Sequence, residues 1–218
     1  AGSVIKTIFR AAPAKLYIGT EGNGLFCYDI PTRKTRHLNT HNSQLRSDYI
    51  RTIADDELGN VWVGTVSGLN IIGQNGMPVC ADATTIDGTS LTSTSVRCIA
   101  RDKQGGMWVG TFFDGVCYYN PRKNHFVNIQ NIPGVNSLSN NIIGCIAEDS
   151  SHNLWIGTNG GLHHYNPKTH HFDLLTTANG LLSNDIKAMY IDQKNNVMYV
   201  GTQLGGMAIV NLSNHSIR

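Results

Sequence analysis

The sequence predicts an all-β fold, built from β-propeller blades of four antiparallel strands. Three observations carry this. First, a four-residue pattern recurs five times: Tyr17-Ile18-Gly19-Thr20, Trp62-Val63-Gly64-Thr65, Trp108-Val109-Gly110-Thr111, Trp155-Ile156-Gly157-Thr158 and Tyr199-Val200-Gly201-Thr202. Second, the glycines at 19, 64, 110, 157 and 201 lie 45, 46, 47 and 44 residues apart, a spacing typical of solenoids and propellers. Third, each period holds four short runs of β-forming residues between turn residues, and no stretch has a useful helical period.

The third repeat shows the elements in order. Ser95 to Arg101 alternates Val96, Cys98 and Ala100 against Arg97, Ile99 and Arg101, as a strand does. Asp102-Lys103-Gln104-Gly105-Gly106 is a hairpin turn, and Met107 to Thr111 is a second strand of large β-formers. Phe112-Phe113-Asp114-Gly115 turns the chain into Val116-Cys117-Tyr118-Tyr119. A polar turn, Asn120-Pro121-Arg122-Lys123-Asn124, precedes a fourth strand, His125 to Ile129, and a longer connection runs from Gln130 to Asn141. Repeat two departs from this scheme at Gly73-Gln74-Asn75-Gly76 and runs into a looser stretch from Cys80 to Ser95.

The 218 residues suit one large domain. We expect 1–218 to be a single propeller or partial propeller, with blades at about 1–41, 42–88, 89–134, 135–179 and 180–218. The blades are either a five-bladed ring or an excerpt of a larger, seven-bladed one. Ile217 falls where a fourth strand of the last blade has only begun. An unclosed edge would favour pairing with another copy, hence a homodimer. Ala1-Gly2-Ser3 reads as a clone boundary or a mature start, with no secretory leader.

Composition excludes several classes. A net charge of +2 is too small to imply nucleic acid, and no stretch approaches a membrane span. The five cysteines form no C-x-x-C pair, which argues against zinc or redox motifs. Cys98 and Cys145 share a column with Thr7, Thr52 and Ala188, so buried free thiols in a small-residue column are expected. There is no G-x-S-x-G elbow, H-E-x-x-H or P-loop. We therefore expect no catalytic residues, no resident metal and no cofactor.

Asp56, Asp102, Asp149 and Asp192 open the first hairpin turns, with Ala11 the exception. They are expected to accept bonds from turn N–H groups. Five histidines gather in repeat four: His152, His163, His164, His170 and His171. Neighbours on a strand point to opposite faces, so a shared metal would need one member of each pair and a third ligand. The expected state is solvated outer-strand histidines.

Two features are candidates for ligand binding. Just before the small-residue column stand Lys6, Arg51, Arg97, Gly144 and Lys187. First strands line the channel of a propeller, so these cations would focus a positive field at one mouth. Such a field would attract an acidic ligand or a partner's carboxylates. The alternative is pairing with neighbouring carboxylates such as Asp55 and Glu148. The same face carries Glu21, Asn23, Phe112, Phe113, Asp114, Asn159 and Gln203. Phe112-Phe113 is unusual in a turn. It could stack on a sugar, pack under its own loop or meet another subunit.

The repeats resemble the two-component regulator propeller family. Repeat four carries the likeness most fully: Ser139-Asn140-Asn141-Ile142, Ile146, Asp149, Leu154-Trp155-Ile156-Gly157-Thr158, Gly161-Leu162, Tyr165-Asn166 and Phe172. The resemblance implies a non-catalytic periplasmic sensor of a hybrid two-component system that recognises an oligosaccharide and signals to a linked histidine kinase. In that family, two seven-bladed propellers, an immunoglobulin-like module and a membrane helix precede the kinase. Any membrane attachment would come through those parts. A protein-interaction scaffold and a lyase-type propeller, which shares the Y-V-G-T signature, remain alternatives.

Overall fold

The computed structural model describes residues 3–11, 14–81, 95–120 and 125–218. The looser part of repeat two at 82–94 and the turn at 121–124 lie outside them, as do the first two residues. Among the described residues the strands form five antiparallel sheets, and the only helical element is a short 3-10 turn, Thr177–Asn179. The first sheet is β1 (Ile5–Ala11), β2 (Lys15–Thr20), β3 (Leu25–Asp29) and β4 (Lys34–Leu38). The second is β5 (Ile50–Asp55), β6 (Val61–Thr65), β7 (Gly68–Ile72) and β8 (Pro78–Cys80). The third is β9 (Val96–Arg101), β10 (Met107–Thr111), β11 (Val116–Asn120) and β12 (His125–Ile129). The fourth is β13 (Ile143–Glu148), β14 (Leu154–Thr158), β15 (Gly161–Asn166) and β16 (His171–Leu175). The fifth has three strands, β17 (Ile186–Asp192), β18 (Val197–Thr202) and β19 (Gly206–Asn211). Each sheet is a simple meander in chain order, so every repeat is one blade.

Among the described residues, a single bridge lies beyond the third strand of the fifth sheet. Ile217 makes a lone antiparallel bridge to Val210, and Ile209 and Arg218 exchange both backbone bonds at 2.8 and 3.0 Å. That is where the repeat arithmetic puts the start of a fourth strand.

The chain divides into two compact units, Ala1–Val109 with Tyr118–Val127, and Gly110–Cys117 with Asn128–Arg218. In the first, β5 packs on β1 and β2, and β9 packs on β5 and β6. Its core includes Leu25, Leu38, Leu45, Ile50, Val61 and Val63. In the second, β17 packs on β13 and β14, around Trp155, Leu162, Ile186, Met198 and Val200. Within each unit, the blades thus meet through their first strands.

The x-x-G-T pattern has a physical reading. β6, β10 and β14 are buried along their whole length, so residues of both faces, such as Trp155 and Ile156, are apolar. The glycine makes room for the next blade. A Cβ on Gly19 would meet Ile50 Cγ2 at 2.5 Å, and one on Gly64 would meet Val96 Cγ1 at 2.6 Å. A Cβ on Gly157 would meet Ile186 Cγ2 at 2.6 Å. Ile50 opens β5, Val96 opens β9 and Ile186 opens β17. The threonine clamps the turn that follows. Its hydroxyl donates to Gly24, Gly68, Gly115, Gly161 or Gly206 in the five blades, at 2.7 to 3.1 Å. Those glycines, which open or precede the third strand, all have positive φ.

Candidate functional site

The candidate cations stand on a backbone irregularity that sequence alternation does not reveal. In β1 the pairing steps from Ile5↔Thr20 to Thr7↔Gly19, and in β5 from Ile50↔Thr65 to Thr52↔Gly64. In β13 it steps from Ile143↔Thr158 to Cys145↔Gly157, and in β17 from Ile186↔Thr202 to Ala188↔Gly201. Two residues advance against one. Lys6, Arg51, Gly144 and Lys187 are therefore the extra residues of β-bulges, which re-aim a side chain away from the ladder alternation. Arg97 is the second residue of β9.

Gly144, the one uncharged member, has a steric cause. A Cβ there would overlap the backbone carbonyl oxygen of Ile186 on β17. Backbone cannot yield as a side-chain tip can, so no side chain fits.

Each cation has its own surroundings. Lys6 Nζ pairs with Glu21 Oε2 at 3.3 Å, both about half exposed. Lys187 Nζ lies 2.6 Å from Asp185 Oδ1 and 3.5 Å from Asn159 Oδ1. Burial, and then the neighbouring Arg97, lowers the Arg51 pKa, so the first unit places two guanidinium groups near each other. The carboxylates expected as partners are engaged elsewhere: Asp55 with Arg101 at 3.2 Å and Glu148 with His152 at 2.8 Å. Glu21 and Asp185 take their place for Lys6 and Lys187. Sequence reading missed Asp185 although it is only two residues from Lys187.

The turn residues fall into smaller groups. Phe112 and Phe113 meet edge-to-face at 4.5 Å, and Phe113 is 64% exposed. The Asp114 N–H donates to Thr111 Oγ1 at 2.9 Å, and its carbonyl accepts from Gln130 Nε2 at 3.3 Å. Asn159 joins Lys187. Lys6, Arg51 and Arg97 belong to the first unit. Phe112, Phe113, Asp114, Asn159 and Lys187 belong to the second. Three concavities among the described residues are lined by other residues. One, of about 400 Å³, is lined by Tyr17, Cys27, Asp29, Lys34 and Arg36 among others.

The hairpin aspartates do more than cap. Asp56 Oδ1 accepts from the N–H groups of Leu58 and Asn60, and Asp102 Oδ1 from those of Gln104 and Gly106. Their Oδ2 atoms accept the indole N–H of Trp62 at 3.0 Å and of Trp108 at 2.8 Å. The repeated six-residue spacing from Asp to Trp was the available signal for this link.

Blade four breaks the pattern. Asp149 Oδ1 still accepts from Ser151 and Asn153, but its Oδ2 faces His164 Nε2 at 3.2 Å. The buried Trp155 Nε1 has no hydrogen-bond partner among the described residues. Burial would raise the Asp149 pKa, but the bonds from His164, Asn153 and Ser151 hold it below the usual carboxylate range.

Of the five histidines, His152, His170 and His171 are exposed as expected, whereas His163 and His164 are not. His163 is 1% exposed. Its Nε2 accepts the Ser139 N–H at 3.0 Å, and burial pushes its pKa down to about 4. His170 binds the Tyr165 hydroxyl at 2.9 Å. The two pairs do not meet directly across the hairpin. Instead His164 and His171 both approach Asp173, at 3.7 and 3.4 Å. His215, from the end of the chain, packs edge-on to His164 with 4.8 Å between ring centres. The five cysteines are free thiols as expected, but Cys98 and Cys145 are half-buried rather than buried.

Comparison with known proteins places these features. The two component regulator propeller family profile matches residues 44–67, 90–113 and 137–160. No curated protein matches the chain. Among solved structures, one similar chain is the extracellular domain of a protein described as a hybrid two component system from B. thetaiotaomicron. It is 26% identical over 97% of this chain and 28% of that one, with a TM-score of 0.83. A second is the extracellular domain of a protein described as a one component system from the same organism, at 21% identity and TM-score 0.74, over 98% of this chain and 29% of that one. Virginiamycin B lyase from Staphylococcus aureus shares the fold at 11% identity and TM-score 0.70, over 99% of this chain and 69% of that one. This chain thus spans less than a third of the first two. No helix among the described residues is long and apolar enough to cross a membrane.

Proposed function

We propose, from the premise that three of these repeats are two component regulator propeller repeats, that the chain is a non-catalytic sensor segment of a hybrid two-component histidine kinase. In this reading it lies in the periplasm, and its ligand is an oligosaccharide, with acidic saccharides such as uronic or sulfated ones preferred. The observation that carries the reading is the 26% identity with a two-component extracellular domain over 97% of this chain. The bulge-borne cations supply the acidic preference. Lys6 and Lys187 each hold a carboxylate already, and a ligand carboxylate or sulfate could exchange with it at the same geometry. Signalling requires the ligand to bind two states of the parent protein unequally.

The test is calorimetric binding against a panel of neutral, uronic and sulfated oligosaccharides. Wild-type chain should bind an acidic member, and Arg51→Gln with Arg97→Gln should weaken it about tenfold, the effect of roughly 1.4 kcal/mol. Unchanged affinity in that double variant removes the cation column from the site. No binding to any member, with a protein partner recovered instead, favours the interaction scaffold. Cleavage of a panel member would restore the lyase alternative.

A further inference from the structure

We propose that His164, Asp173 and His215 form a transition-metal site, with Zn²⁺ the expected ion, which ties blade four to the chain segment that follows β19. One ligand atom from each of the three residues lies within 4.8 Å of the others. His164 Nδ1 is already 3.7 Å from Asp173 Oδ2. Tetrahedral ligands about 2.0–2.2 Å from zinc stand roughly 3.4 Å apart, so small side-chain movements close the set. Asp173 and His164 are paired across β15 and β16, while His215 follows β19 in a left-handed turn at φ 59.

A second observation points the same way. Metal-bound histidines characteristically donate their other ring N–H to a carboxylate, which fixes tautomer and orientation. His164 Nε2 faces Asp149 Oδ2 at 3.2 Å, and this leaves Nδ1 as the lone-pair atom on the Asp173 side. Blades two and three give that same oxygen to their tryptophan indole. Blade four gives it to His164 and leaves the buried Trp155 N–H without a partner among the described residues. The chain thus departs from its own repeat in the direction a metal ligand needs. Two imidazoles and one carboxylate suit zinc and its neighbours rather than calcium or magnesium. The Asp173 side chain is 54% exposed, so the ion has a path in and solvent can complete its coordination.

The experiment uses untagged, chelator-treated chain titrated with ZnCl₂ by calorimetry, and with CoCl₂ by visible absorption. One equivalent should bind, raise the melting temperature and give cobalt d–d bands. His164→Phe keeps a ring on Trp155, and His215→Asn suits the left-handed turn. Each should lower zinc affinity at least tenfold. Asp149→Asn, altering a positioning residue, should lower it 10- to 100-fold. His152→Ala should not change it. Absence of saturable binding by wild-type protein, or unchanged affinity in both ligand variants, overturns the proposal. Should the variants fail to fold, the wild-type cobalt spectrum and zinc-dependent melting shift decide it alone.

Discussion

Gly157 and Gly201 occupy the same position in successive blades and should respond oppositely to alanine. In Gly157→Ala the new Cβ would stand 2.6 Å from Ile186 Cγ2, 2.8 Å from Cys145 Sγ and 2.9 Å from Ile186 Cβ. Carbon atoms pack at about 3.5–4.0 Å, so both neighbours must withdraw by about 0.7–1 Å. Ile186 is fully buried in the core of its unit, and cores yield poorly. Overpacking of this kind costs about 1–3 kcal/mol, or a melting point roughly 2–10 °C lower for a chain of this size. In Gly201→Ala the nearest atoms are Ala188 Cβ at 3.7 Å and Ala188 O at 3.8 Å, ordinary contacts. The change there should lie between zero and a gain of about 0.5 kcal/mol from the reduced freedom of the unfolded chain. Thermal and urea unfolding of both variants measure this. Ile186→Ala combined with Gly157→Ala should cost less than the two single changes summed. Equal losses at Gly157 and Gly201, or strict additivity with Ile186→Ala, would refute the account of the glycine column as space for the next blade.

Two further outcomes follow from the buried polar groups. Asp102→Ala removes the acceptor for two turn N–H groups and for the Trp108 indole, and should cost about 3 kcal/mol in urea unfolding. Asp192→Ala, whose turn bonds to Asn195 are exposed, should cost far less. Burial depresses the His163 pKa from 6.5 to about 4, so the unfolded chain binds the proton more readily. Stability should therefore be full above pH 6.5 and fall by about 1.4 kcal/mol per unit down to about pH 4, where the loss levels off near 3 kcal/mol. Asn70 plays the matching part in blade two, accepting the Arg46 N–H at 3.0 Å as His163 accepts that of Ser139. His163→Asn should accordingly fold, and its pH profile should lack this slope. A variant profile parallel to wild type would count against the buried neutral imidazole.

Much of the architecture was legible in the chain. Period, strand number and turn positions are set by local chemistry: β-formers alternate with glycine and Asp-led turns, and most of these choices recur in four or five of the repeats. The pairing of Ile217 beside β19 was legible too, because Ile217 falls at a fixed offset from Phe172. The small column opposite the glycine was seen, though its reason, the entry of the next blade's first residue, is a contact between blades.

The candidate site was less legible. The cation column appears in the sequence, but its placement on bulges does not, since reading alternation assumes one residue against one. Gly144 looks like a gap in that column until the Ile186 carbonyl is seen beside it. Which carboxylate meets which lysine also depended on packing: Glu21 and Asp185 rather than Asp55 and Glu148. The histidine cluster shows the limit most clearly. His163 and His164 are adjacent in sequence, yet one is sealed in the core and the other faces Asp149, Asp173 and His215. By itself the sequence determined the repeat, the strands and the turns, because those depend on neighbours along the chain. Only the tertiary structure decided which polar side chains meet, because those meetings join residues of different strands and blades, and bulges alter the direction in which each side chain points.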